Sequence, residues 1–224
     1  MQNIQNGVDM NIHEKLVEWE KKLGKNIFKD MKIPKNAVIA DFGCGYGEYT
    51  IAAAKYLTKG NVLAIDNNQK ALNIVKKKIQ EYKITNVEII LNGKELHIPL
   101  KNETVDILLF YDMIHGNYLE TKLPTRFDMY PEAYRTLKLN GILSIAPFHE
   151  CDRMKDKQGR WKKYTKEKII DELKNYGFEF VSEIDGGIHF ENSRSPYLWK
   201  KFNNNMQFED IEKGPIWNFM KIKK

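Results

Sequence analysis

The chain has 224 residues, 42% hydrophobic and 29% charged, which excludes a disordered, collagenous or disulfide-stapled protein and suffices for one core with an elaboration. Lysine and arginine (36) exceed aspartate and glutamate (30) by six. That excess is scattered, its densest runs at 76–78 and 221–224 reading as a solvated helix face and a tail, so nucleic acid is disfavoured as a partner.

In chain order, Asn11 and Glu14 have capping-box spacing. Leu16, Val17, Leu23 and Ile27 then predict an amphipathic helix ending near Gly24 or shortly after, ahead of Pro34. Residues 37–42 form an apolar run of strand length, followed by a glycine cluster at 43–47 and a helix over 48–57. A second buried-type strand spans 61–66, and Asn67 and Asn68 can cap a helix over 69–82. Further strands are predicted at 87–91, 106–111 and 141–147, and helices at 131–137, with proline in its first turn, and 165–176. Residues 178–184 and 215–222 read as a closing pair of strands.

Strands that are apolar nearly throughout and alternate with helices imply a parallel sheet covered on both faces. The expected fold class is α/β: a Rossmann-like, doubly wound, mostly parallel seven-stranded sheet. Residues 1–34 form an N-terminal helical cap and 35–224 one domain, with long insertions near the C-terminus. The connections 112–128 and 185–214 exceed ordinary loop lengths and read as functional. Two cysteines, Cys44 and Cys151, without a Cys-x-x-Cys pair, fit a reducing, cytoplasmic setting. Neither a signal-peptide core nor an apolar run of membrane-spanning length is seen.

The segment Asp41-Phe42-Gly43-Cys44-Gly45-Tyr46-Gly47 joins a strand to a helix and lets backbone approach a ligand. A P-loop would need Gly-Lys-Ser/Thr at the helix start, which is absent. A dinucleotide loop would place its third glycine one residue later, where Glu48 stands. A pyrophosphate there would face Asp41 and Glu48, a like-charge cost of several kcal/mol at an effective dielectric of ~20. A ligand with an ammonium and a sulfonium and no phosphate is favoured instead, its carboxylate on the helix N-terminus. S-adenosylmethionine is such a ligand. Asp66 lies 19 residues beyond Gly47, near the offset at which an acid meets ribose hydroxyls.

With these motifs stand Leu63-Ala64-Ile65-Asp66, Ile98-Pro99-Leu100, Val105-Asp106-Ile107-Leu108 and Leu137-Lys138-Leu139-Asn140-Gly141-Ile142-Leu143. Together they resemble the class I S-adenosylmethionine-dependent methyltransferases, nearest the small-molecule branch that includes the quinone-biosynthesis C-methyltransferases. The resemblance covers residues 35–150 well and the rest by topology. It implies that Asp41 and the backbone of Gly43, Cys44, Gly45, Tyr46 and Gly47 hold the methionine moiety. It further implies Asp66 on the ribose and Asn67 on the adenine edge. Relatives carry Gly-Asp about five residues before the Leu-Pro step, where this chain has Gly93-Lys94. Lysine cannot accept a bond from the adenine amino group, so Glu95 or a backbone carbonyl is the alternative.

Methyl transfer is an in-line displacement with a neutral leaving group, so positioning can supply most of the rate. A base is needed only if the acceptor is protonated. Tyr111, His115 and His149, past the ends of the fourth and fifth strands, are the catalytic candidates, with a hydrogen-bonded lining role the plainer reading for either histidine. Tyr111 also stands as a ring covering the cofactor. Ser195-Pro196-Tyr197-Leu198-Trp199 reads either as a substrate lid or as a loop anchor. Histidine spacing gives no metal site. The expected protein is a cytoplasmic enzyme, monomeric or homodimeric, that methylates a small molecule. A nucleic-acid or protein methyltransferase, and a non-catalytic S-adenosylmethionine-binding module, are the alternatives.

Overall fold

The computed structural model describes residues 17–93, 97–114, 126–147, 151–155, 161–163, 165–189 and 212–223. After a π-helical turn at Trp19–Leu23 come α1 (Lys25–Asp30), β1 (Val38–Phe42), α2 (Glu48–Tyr56), β2 (Asn61–Asp66), α3 (Gln69–Glu81), β3 (Val87–Leu91) and β4 (Val105–Tyr111). The chain continues with α4 (Arg126–Thr136), β5 (Leu137–Ala146), β6 (Cys151–Lys155), β7 (Trp161–Lys163), α5 (Lys166–Lys174), β8 (Phe178–His189) and β9 (Glu212–Lys221).

Seven strands form one sheet in the order β3-β2-β1-β4-β5-β9-β8. β1 pairs in parallel with both β2 and β4, so the strand order reverses between β1 and β4, and a crevice opens beyond their carboxyl ends. β9 runs antiparallel to β5 and β8. The sheet is buried on both faces, as its apolar strands require. On one face Ile39, Val62, Ile107 and Leu109 pack against Trp19, Ile27, Phe28 and the alanines of α2. On the other, Phe42, Leu108 and Phe110 pack against Met129, Tyr130 and Leu173. The helical segment expected at the N-terminus is therefore part of the first core from Trp19 onward. No helix among the described residues is long and apolar enough to cross a membrane.

Several boundaries differ from the sequence reading. The first helical segment ends at Gly24 as expected, but Gly24 keeps right-handed backbone (φ −57°) and a further helix, α1, follows. The α4 helix starts at Arg126, so Pro131 lies inside it. The bond lost by proline would have gone to the carbonyl of Phe127, an exposed residue (44%) that water can satisfy. The β5 strand begins at Leu137, paired with Val105 ahead of a register shift, rather than at Gly141. β8 and β9 both extend into the long connection, and β6 and β7 make a separate antiparallel hairpin that no alternation announced. The proposed cap at Asn11 and the 195–199 lid lie outside the described residues.

Candidate cofactor site

All three loop glycines adopt left-handed backbone, φ 77° at Gly43, 53° at Gly45 and 81° at Gly47, which disfavours any side chain. Their surroundings differ. A Cβ on Gly43 would overlap the Met113 sulfur, and one on Gly47 would lie 2.9 Å from Val75 Cγ2. A Cβ on Gly45 would meet nothing within 4 Å. Two glycines are thus needed by the fold, and the third faces open space at the crevice.

Backbone bonds fasten this loop to the end of β2. Gly43 N and Cys44 N donate to Ile65 O at 2.8 and 3.0 Å. Gly45 N donates to Asp66 Oδ2 and Asn68 N to Asp66 Oδ1, both at 2.8 Å. Asn68 Oδ1 then caps α3 by accepting from Lys70 N and Ala71 N. Of the two predicted caps, Asn68 does the work and exposed Asn67 remains free to face a ligand. Asp66, half-buried, links the loop to the β2 end and retains lone pairs for further donors.

Asp41 lies beneath, 3% exposed. Thr50 Oγ1 donates to its Oδ2 at 2.6 Å. Loss of water pushes its acid up to about 7, with the charges of Glu48 and Asp66 adding to the rise. Burial, reinforced by these carboxylates, also raises the Cys44 thiol, which is free and unreactive.

Glu48 does not stand unpaired at the loop: its Oε1 is 3.3 Å from Lys78 Nζ. Lys78, 1% exposed, also pairs with buried Glu20, whose other oxygen accepts from Tyr82 Oη at 3.2 Å. The 76–78 run is likewise not one solvated face; Lys76 and Lys77 are exposed and Lys78 is inside.

Tyr111 ends β4 on the α2 face. It is 7% exposed, with its hydroxyl 2.9 Å from Ser144 Oγ and its ring edge-on to Tyr49 at 4.4 Å. Tyr49 in turn packs on Trp19 at 5.2 Å and hydrogen-bonds the backbone of Ile188. Burial raises the phenol of Tyr111 well above its ordinary value, which keeps the hydroxyl protonated at neutral pH. Gly93 is exposed two residues after β3, and Asn92 N bonds Asp66 O at 2.8 Å, which brings this turn beside the Asp66 end of the crevice. Lys94, Glu95, His115 and His149 lie outside the described residues.

The crevice thus offers an open glycine, a half-buried acid at the end of β2 bonded to it and a buried acid behind them. These acids suit a ribose and an ammonium and repel a diphosphate, so the residues fit S-adenosylmethionine. Residues 33–208 match the methyltransferase domain family model. The chain belongs to this family. It is 30% identical over 149 residues to a demethylmenaquinone methyltransferase of Lactobacillus johnsonii, covering 66% of this chain and 57% of that one. A protein of the same name from Lactiplantibacillus plantarum is 27% identical over 115 residues, 51% of this chain and 46% of the relative. The chain therefore spans about half the length of these relatives. The crystal structure of an S-adenosylmethionine-dependent methyltransferase from Aquifex aeolicus superposes with a TM-score of 0.60 at 18% identity, over 93% of this chain and 98% of that one. The class I methyltransferase resemblance and the doubly wound fold are borne out.

Sequence reasoning missed Thr50, Met113, Tyr49 and the Glu20–Lys78 pair. Thr50 had a signal, as a lone hydroxyl leading the run Ile51-Ala52-Ala53-Ala54. Lys78 had one too: it continues the buried stripe Ala71, Val75 at helical spacing.

Proposed function

We propose that this domain binds S-adenosylmethionine across the carboxyl ends of β1, β2 and β4 and passes its methyl group to a small-molecule acceptor of quinone type. The observation that carries this reading is the tie from Gly45 N to Asp66 Oδ2. It joins the open glycine and the acid after β2 into one phosphate-free cradle. The relatives' shared name supplies the acceptor class.

In this reading Asp41 and the Gly43–Gly47 backbone hold the methionine moiety. Asp66 takes the ribose hydroxyls and Asn67 the adenine edge, with Gly93, Lys94 and Glu95 beside the base. Tyr111 walls the cofactor pocket, held by Ser144 and Tyr49. When bound, the sulfonium supplies an electrophilic methyl group and a neutral leaving group. The chain contributes alignment and exclusion of water, and His115 or His149 accepts the acceptor's proton. The enzyme acts in the cytoplasm as a monomer or homodimer.

The test combines purified protein, methyl-labelled S-adenosylmethionine and a reduced, ring-unmethylated naphthoquinone. Label should appear on the quinone with stoichiometric S-adenosylhomocysteine, and His115→Ala or His149→Ala should flatten the acid limb of the rate profile. Binding of S-adenosylhomocysteine without transfer removes the acceptor class; tighter binding of NADH than of S-adenosylhomocysteine removes the whole reading.

A further inference from the structure

We propose that Glu20, Lys78 and Glu48 form a buried charge-sharing triad through which the N-terminal segment sets how strongly the cofactor loop attracts a cation. This rests on the reading of the loop as a site for S-adenosylmethionine.

The three residues come from three elements: the π-helical turn, α3 and the first turn of α2. Lys78 Nζ contacts Glu20 Oε1 and lies 3.3 Å from Glu48 Oε1. Side-chain exposure is 2% at Lys78, 1% at Glu20 and 16% at Glu48, so the charges act with little solvent screening. The triad adjoins the loop: Glu48 follows Gly47 directly, and Val75, one turn before Lys78, packs against Gly47. The Glu48 charge is felt across the loop. Behind the larger effect of burial, it raises the acid of Asp41, the thiol of Cys44 and the phenol of Tyr46.

One ammonium serves two carboxylates. With Glu20 in place, Lys78 divides its charge, and Glu48 keeps part of its field on the loop. If Glu20 loses its charge, more of the Lys78 charge falls on Glu48, and the loop holds a cation less well. Glu20 and Lys78 are positioning residues, since they act on the ligand through Glu48. A segment sequence-distant from the loop thus tunes it through a single lysine.

The experiment compares S-adenosylmethionine, which carries the sulfonium charge, with S-adenosylhomocysteine, which lacks it. Calorimetric titration of each gives an affinity ratio that a purely structural role would leave unmoved, because the two ligands differ only in the transferable methyl group and the charge it places on sulfur. Glu20→Gln should lower the ratio of S-adenosylmethionine to S-adenosylhomocysteine affinity about threefold or more. The double variant Glu20→Gln/Lys78→Met removes both buried charges, leaves Glu48 unneutralised by Lys78 and should raise the ratio above wild type. It also removes a buried pair as a unit, a change proteins tolerate, so it stands in if the single variant does not fold. Glu18→Gln, on the same segment in an exposed pair with Lys22, should leave the ratio unchanged. A folded variant with an unmoved ratio, or an equal shift in Glu18→Gln, overturns the triad. If the wild type binds neither ligand, the cofactor reading itself falls.

Discussion

Asp41 shows the sharpest conflict between burial and charge at the site. Its native acid is raised from 3.8 to about 7, first by loss of water, with Glu48 and Asp66 adding repulsion against the Thr50 hydrogen bond. A carboxyl raised in this way favours the folded state while protonated. Its contribution is complete below about pH 3.8 and is lost as pH rises towards 7. Asp41→Asn should therefore gain melting temperature relative to wild type between pH 4 and pH 7.5, in ligand-free protein followed by calorimetry. A bound ammonium favours the ionised form, so S-adenosylhomocysteine binding near pH 6 should release a proton, read from titrations in buffers of different ionisation enthalpy; proton uptake would contradict this. The glycines separate fold from site in the same way. Gly47→Ala combines a left-handed φ with a close approach to Val75 and should cost about 2–3 kcal/mol of stability in urea denaturation. Gly45→Ala has only the φ penalty, about 1 kcal/mol, but should weaken S-adenosylhomocysteine at least tenfold, because its methyl occupies the open space. Equal effects on stability and affinity at both positions would refute the division.

Polar side chains anchor α4 to its neighbours. Within α4, Arg126, five residues before Pro131, is held by α5. Its Nε and Nη2 meet Glu172 Oε2 and Oε1 at 2.7 and 2.8 Å, tying α4 to α5. Farther along α4, Arg135 donates to the carbonyls of Leu100 and Ile98 at 2.6 and 2.8 Å and anchors the turn before β4. Glu172→Gln removes a charge partner of the buried Arg126 guanidinium and should lower unfolding free energy by about 3 kcal/mol. Arg126→Met/Glu172→Met should recover part of that loss, and a purely additive double-mutant cycle would show that the pair does not couple the helices. The β6–β7 hairpin was illegible because its strands, Cys-Asp-Arg-Met-Lys and Trp-Lys-Lys, lack the period-two apolar pattern that marks a strand with one buried face.

Across the molecule, one sheet separates two cores, and the segment from Trp19 to Ile33 belongs to one of them. Phe28 is fully buried and packs on Tyr56 with ring centroids 6.0 Å apart. Phe28→Ala should cost about 3–5 kcal/mol while unfolding stays a single transition, coincident by tryptophan fluorescence and far-ultraviolet circular dichroism. Two separated transitions would show that residues 1–34 behave as an independent cap.

The chain order of the seven sheet strands and the helices between them, the glycine loop and the acid at the end of β2 were legible from the chain alone. Each depends on local physics: strands buried on both faces must be apolar throughout, and tight turns at left-handed backbone demand glycine. The destination of Glu48 was not legible. Its partner Lys78 lies 30 residues away and that lysine's second partner Glu20 lies 58 residues away; only the tertiary fold brings the N-terminal segment, α2 and α3 together there. Local pattern sets which residues turn inward. Which buried charges meet is settled when elements from distant parts of the chain dock, because a carboxylate taken from water must find its cation wherever the fold supplies one.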